Sequence, residues 1–343
     1  MLEVYLKNDR LCLLPAEQFS IVVEMSPCEE YQPKLRLPAD RLPFFIGAGV
    51  IKSQVAIEQY AQIPELAALV IGSFSDTEWA GNDPTDTKRL TWWDKQNKTF
   101  YNAIGLRNVG RTAASEFLPE ALKRVRAAGQ IAILSVTALK HEAPQVVIPD
   151  LVEWALSMGA DGVEINGACP NENTETLLCQ DPWSTLNTLK LTRQRVGAEP
   201  YLIFKPGDLG QDVIAHYQRA SLPVDAISPI NGPRTMSPTL ADTGKPAIEV
   251  NDGFAGMSGA AIRYVGRDNA WRWQLRPIDA PAVDRDLWSI GGVTDGYEAY
   301  HRIQVLGARM AGAAQAFYRA SDPAALAKQW VLQYRESGVG VAL

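Results

Sequence analysis

The sequence predicts an α/β fold: a (β/α)8 TIM barrel preceded by a short N-terminal β-hairpin and carrying long excursions after its second and sixth strands. Three observations predict it. Eight apolar runs of strand length recur along the chain, amphipathic helical patterns fall between them, and several runs are almost continuously apolar. Continuous apolarity marks parallel strands covered on both faces, and strands alternating with helices imply βα units. An open doubly wound sheet is the alternative that pattern alone leaves standing.

The strand runs are "PFFIGA" (43–48), "LAALVIGS" (66–73), "QIAILSV" (130–136), "DGVEIN" (161–166), "YLIFKP" (201–206), "DAISPI" (225–230), "LWSIGG" (287–292) and "ARMAGAA" (308–314). Helical patterns follow as "VAIEQYAQI", "ASEFLPEALKRVRAA", "IPDLVEWALSM", "PWSTLNTLKLTRQRV", "LGQDVIAHYQRA", "GYEAYHRIQVL" and "DPAALAKQWVLQYRES". Ahead of them, "LEVYLK" and "FSIVVEM" read as strands of a small hairpin. Residues 1–42 are therefore an N-terminal extension and residues 43–343 a single barrel domain. Two connections, about Phe74 to Arg111 and about Asn231 to Arg285, are too long for plain βα loops. Connections of that length are commonly functional. Both leave the C-terminal ends of strands, where barrels of this kind build their sites. Trp79, Trp92 and Trp93 in the first point to a packed lid.

Composition narrows the function. The 343 residues are 46% hydrophobic, enough for a large core, and the net charge of −6 comes from 33 basic and 39 acidic residues. With no basic cluster, nucleic acid is not an expected partner. No apolar stretch reaches membrane-spanning length, and charges interrupt the N-terminal apolar runs, so neither a membrane span nor a signal peptide is expected. Cys12, Cys28, Cys169 and Cys179 make neither a disulfide framework nor a CxxC metal pair, and no metal is expected. A reducing cytoplasm is the simplest location.

The C-terminal strand ends carry a short set of chemical groups. "VEINGACPNENT" puts Asn166, Cys169 and Asn171 just past the fourth strand. Amides offer donors and acceptors to the edges of a planar heterocycle, and a thiolate can act as base or nucleophile. Lys205 ends the fifth strand, as an electrostatic group or a Schiff-base amine. Asn231 ends the sixth, Gly291-Gly292 the seventh and Ala314-Gln315 the eighth; backbone N–H groups there suit a phosphate. Asn102 and Gly105 lie in the first excursion. Cys12, Cys28 and Cys179 read as structural and His141, His216 and His301 as surface or packing residues; Lys52 and Ser53, just after the first strand, are candidates for contact with the edge of a bound cofactor ring but are not counted among the site residues.

Seven segments then occur in the order of one family. "NAIGLRNVG", "EINGACPN", "FKPGD", "INGP", "GFAGMSGAAI", "SIGGV" and "GARMAGAAQA" resemble the motifs of the soluble, cysteine-base dihydroorotate dehydrogenases, from about Pro43 to Phe317. The resemblance implies an FMN-dependent oxidoreductase of pyrimidine biosynthesis that oxidises dihydroorotate to orotate. Cys169 would take the C5 proton while hydride passes from C6 to flavin N5. Asn102, Ile104, Gly105, Leu106, Asn166, Asn171, Asn231 and Gly232 would surround the substrate. Ala48, Gly49, Ser73, Asn166, Lys205, Ile230, Ser258, Gly259, Gly291, Gly292, Ala314 and Gln315 would hold FMN, with Lys205 at the N1–O2 edge where negative charge develops. Soluble relatives tend to dimerise, so a homodimer belongs to the same expectation.

Five positions depart from the family pattern. Gly72 stands where the family has a lysine touching both flavin and orotate; Arg107 replaces a proline; Ala168 replaces a serine; Ala314-Gln315 replaces Gly-Thr. Arg107 is expected to reach in and supply the missing charge. A flavin enzyme acting on a related ring without the carboxylate is the near alternative. A Schiff-base lyase using Lys205 and a non-catalytic flavin binder are the distant ones.

Overall fold

The structure is a computed structural model that describes residues 2–7, 10–15, 34–169, 177–281 and 283–339. The chain divides into two compact units, residues 1–32 and 33–343. In the first, β1 (Leu2–Lys7) pairs antiparallel with β2 (Arg10–Pro15). A hairpin is present, but its second strand is "RLCLLP"; the expected strand "FSIVVEM" lies outside the described residues.

In the second unit, eight parallel strands close into a barrel in chain order: β3 (Phe44–Ile46), β4 (Ala68–Phe74), β7 (Ile131–Val136), β8 (Gly162–Asn166), β9 (Leu202–Lys205), β10 (Ala226–Ile227), β13 (Asp286–Ser289) and β14 (Met310–Ala313), which returns to β3. All eight expected strands are present, so the barrel, and not the open sheet, is the fold. β10 is shorter than its apolar run because the chain turns into Ser228-Pro229, and proline has no N–H for the ladder.

Strand alternation sorts the core into two layers. Phe45, Val70, Ile133, Ile203, Trp288 and Met310 fill the barrel interior, with the Phe45 and Trp288 rings 5.2 Å apart. Their neighbours Phe44, Leu69, Leu134, Val163, Phe204 and Leu287 pack outward under the helices. These are α1 (Gln54–Ala61), α2 (Gly110–Ala127), α3 (Pro144–Ser157), α4 (Pro182–Val196), α5 (Gln211–Arg219), α6 (Arg263–Gln274), α7 (Gly296–Tyr300), α8 (Gln315–Arg319) and α9 (Pro323–Val339). Ser53, Asp181 and Asp295 cap α1, α4 and α7 by accepting from N–H groups of the first turn. The "GYEAYHRIQVL" helix is α-helical only to Tyr300 and then widens over His301–Val305.

The two excursions form one structure. From the first come β5 (Thr91–Asp94) and β6 (Thr99–Asn102); from the second come β11 (Arg234–Met236) and β12 (Phe254–Gly259). They join as an antiparallel sheet in the order β11-β12-β6-β5, with Asn102 opposite Gly256. Segments about 150 residues apart thus cooperate over the C-terminal mouth of the barrel.

Candidate active site

Alternation of side chains along the strands brings polar groups to the upper interior of the barrel. Ser135, Glu164, Asn166 and Lys205 are all buried there, above the apolar layers. Lys205 Nζ lies 3.5 Å from Glu164 Oε1, which accepts from Ser135 Oγ at 2.8 Å. Ser135 Oγ meets Ser73 Oγ at 2.8 Å, and Asn166 Nδ2 donates to Ser73 Oγ at 3.0 Å. Asn231 Nδ2 donates to Asn166 Oδ1 at 3.2 Å and also to the Ala168 carbonyl. One continuous network therefore runs from the β9 lysine to the amide after β10. A charged pair held this way is costly to disturb, because each member would leave the other buried and unpaired.

Above this network lies a cavity of about 930 Å³, part of it open to solvent. Fourteen of the residues expected at the site line it: Ala48, Gly49, Asn102, Ile104, Lys205, Ile230, Asn231, Gly232, Ser258, Gly259, Gly291, Gly292, Ala314 and Gln315. Ser73 and Asn166 sit in the supporting network and not on the wall. Asn171 lies outside the described residues.

Cys169 stands beside the cavity. Its buried side chain packs with Leu106, Leu139 and Trp79, and Trp79 Nε1 donates to the Gly105 carbonyl at 2.9 Å. Ile104 lines the cavity, and Leu106, two residues on, packs with Cys169, which is not itself on the wall. Cys179 is different: its sulfur accepts from the Gly207 N–H at 3.4 Å, and burial pushes its thiol pKa up to about 11. It stays protonated and structural.

The Gly291-Gly292 turn is clamped from below. Arg302, fully buried on the widened turn after α7, donates from Nη2 to the Gly291 carbonyl (2.9 Å) and the Arg263 carbonyl (3.0 Å). Its Nε donates to Glu298 at 2.7 Å, and Arg267 holds the other oxygen of that carboxylate. A Cβ at Gly292 would lie 2.3 Å from Arg263 Cα, and φ is +77°, so only glycine fits.

Arg107 corrects an expectation. Its guanidinium donates to the Ala80 and Asp83 carbonyls at 2.9 and 2.7 Å and pairs with Asp86 at 2.7 Å. These partners belong to its own excursion and hold the side chain away from the cavity wall, so it does not supply the missing charge. Its carbonyl instead accepts from Lys52 Nζ at 2.8 Å.

Sequence reasoning also missed part of the wall. Phe100, Gly256, Met257 and Tyr318 line the cavity from β6, β12 and α8, elements that had not been assigned. The glycine-rich "GFAGMSG" was a signal for close backbone approach, though not for a strand.

A closed parallel barrel with a concave site at its C-terminal mouth, walled by glycine turns, amides and a buried lysine, defines a barrel enzyme that holds a small molecule or cofactor. The chain belongs to the dihydroorotate dehydrogenase family, whose sequence profile matches residues 40–325. No curated protein matches it. Among the described residues, no group of three or more His, Cys, Asp or Glu gathers to hold a metal ion, and no helix is long and apolar enough to cross a membrane.

Proposed function

We propose that this protein is an FMN-dependent oxidoreductase that oxidises dihydroorotate to orotate. The observation that carries the reading is one shared cavity. It joins Lys205, Asn102 and Asn231 at one part of its wall to the Gly259 and Gly291-Gly292 backbone at another.

The wall fits FMN in chemistry. Small residues let a bulky planar group approach the backbone, glycine turns offer N–H groups to a phosphate, and Lys205 offers positive charge to a ring edge. FMN, when bound, supplies the hydride acceptor. Ala48, Gly49, Ile230, Lys205, Ser258, Gly259, Gly291, Gly292, Ala314 and Gln315 would hold it.

The chain's own residues do the rest. Asn102 and Asn231 orient the pyrimidine edge by its C=O and N–H groups. Asn231 is itself fixed by Asn166 and the Ala168 carbonyl, so its amide is oriented before a ligand arrives. Cys169, in the thiolate form, takes the proton from C5 and becomes a thiol. Leu106, Leu139 and Trp79 keep water from its flank. Cys169→Ala should lower turnover by a factor of about 10² or more, the usual contribution of a positioned base. The Schiff-base reading is disfavoured because the Lys205 amine is buried and ion-paired with Glu164 at 3.5 Å.

The test is anaerobic mixing with dihydroorotate, and separately with dihydrouracil, while the flavin colour is followed. Rapid bleaching by dihydroorotate supports the proposal. Bleaching by dihydrouracil alone would move the substrate to a ring without the carboxylate, and bleaching by neither would refute the reading.

A further inference from the structure

The site lacks a cation where its family carries one, and the local geometry explains why Gly72 cannot provide it. Gly72 has φ of +120°, a conformation that side chains strongly disfavour, and a Cβ there would lie 2.5 Å from the Ser135 carbonyl oxygen. No lysine fits at that position without moving β7.

The neighbouring strand end lies against it. The Gly49 N–H donates to the Gly72 carbonyl at 2.7 Å, and the Gly72 N–H donates to the Ile51 carbonyl at 2.8 Å. The turn after β3 is thus clasped to the end of β4. Lys52 is the next residue, and its backbone is fixed on the other side by Ser53, the cap of α1. The side chain is partly buried and reaches across to donate to the Arg107 carbonyl. Leu106, the residue before, packs on Cys169.

We propose that Lys52 is the positioning cation of this site: it takes over from β3 the charge that Gly72 cannot carry on β4, and it favours the thiolate of Cys169. The proposal deepens the functional reading above and rests on it for the role of Cys169.

Two further observations agree. Burial pushes the Lys52 pKa down to about 8, and the charge of Cys169 works against that shift, so the two groups feel each other's charge. A lysine poised this close to neutrality remains largely protonated at pH 7, as an electrostatic partner must. Other cations near the site are engaged elsewhere: Arg107 is turned to Asp86, and Lys205 is paired with Glu164.

The experiment is the pH profile of Cys169 alkylation by iodoacetamide in the full-length protein as purified. Peptide mass spectrometry separates Cys169 from the other cysteines. Wild type is compared with Lys52→Gln, Lys52→Met and Lys52→Arg. Glutamine keeps a donor for the Arg107 carbonyl but removes the charge, so it separates an electrostatic role from a structural one. Removing a nearby opposite charge shifts a titration by roughly one unit. Lys52→Gln and Lys52→Met should therefore alkylate about tenfold more slowly at pH 7, with Lys52→Arg restoring most of the rate. Superimposable profiles for wild type and a folded Lys52→Gln protein would overturn the proposal. The readout requires neither flavin nor dihydroorotate. It therefore decides the role of Lys52 even if the protein refuses FMN, and a failure here leaves the bleaching experiment able to support the functional reading.

Discussion

The wall strand β4 and the overlying strand β12 are of similar length and obey opposite rules. All seven residues of β4 are buried, and its apolar side chains alternate between the barrel interior and the helices. β12 has two glycines in six residues, mixed exposure, and partners from a segment about 150 positions earlier. The barrel is held by burial, and the sheet above it by backbone pairing and surface contacts. Rigid wall and lighter cover divide the work: the wall fixes Glu164, Asn166 and Lys205, while the cover supplies Asn102, Ser258 and Gly259 to the same cavity.

That difference predicts unequal stability effects. Phe204 is fully buried and meets the Tyr217 ring at 6.0 Å. Phe204→Ala should cost about 3–5 kcal/mol in urea unfolding, by lost transfer energy and the cavity left behind. An effect under ~1 kcal/mol would show that the wall is not the main store of stability.

Lys52 sits where wall and cover meet and should show the opposite sign. Its folded-state pKa is about 8 against an ordinary 10.5, so burying it charged costs stability below pH 8. Between those values the unfolded chain binds more protons than the folded one, and wild-type stability rises with pH. Lys52→Met should therefore be more stable than wild type at pH 7, by roughly 1–2 kcal/mol after allowance for partial solvent screening. The advantage should shrink as pH rises from 8 to 10.5. A pH-independent difference in denaturant midpoint would contradict this.

Smaller effects belong to the cover. Trp93 on β5 is half-buried and carries the Arg319 guanidinium 4.0 Å from its ring centroid. Trp93→Ala should cost about 1 kcal/mol, the scale of a partly exposed cation–π contact. Smallest of all, the exposed Arg89–Glu249 pair links the two excursions at 3.0 Å, and Glu249→Gln should change stability by less than ~1 kcal/mol.

The same contrast decides what the sequence made legible. The barrel strands were visible because each is a short apolar run between helical patterns, and hydrophobic burial writes itself locally. β5, β6, β11 and β12 were invisible because each is only three to six residues long, mixes aromatic with polar or glycine residues, and is paired in a sheet that joins distant segments. α6 escaped because "RYVGRDNAWRWQ" mixes glycine, asparagine and charges. At the site, Lys205, Asn231, Gly291-Gly292 and Ala314-Gln315 followed from their places at strand ends, whereas Ala48, Gly49, Ile104, Ile230, Gly232, Ser258 and Gly259 came only with the family resemblance. Arg107 was misread because its sequence position placed it on the rim, whereas only the carboxylate and carbonyls of its own loop decide where the guanidinium points. Lys52 belongs to no motif of its own. The available signal was indirect: the first two strands of a barrel are neighbours, so a charge lost from one can be regained from the other.

What matters most is whether the mouth of this barrel holds FMN with its phosphate at the Gly291-Gly292 end. Titration of flavin-stripped protein with FMN and with riboflavin, followed by calorimetry, answers that most directly. The glycine turns predict one FMN per chain, bound at least about tenfold more tightly than riboflavin, since charge-assisted hydrogen bonds to the phosphate are lost without it. Equal affinity for the two, or binding of neither by folded protein, would contradict it.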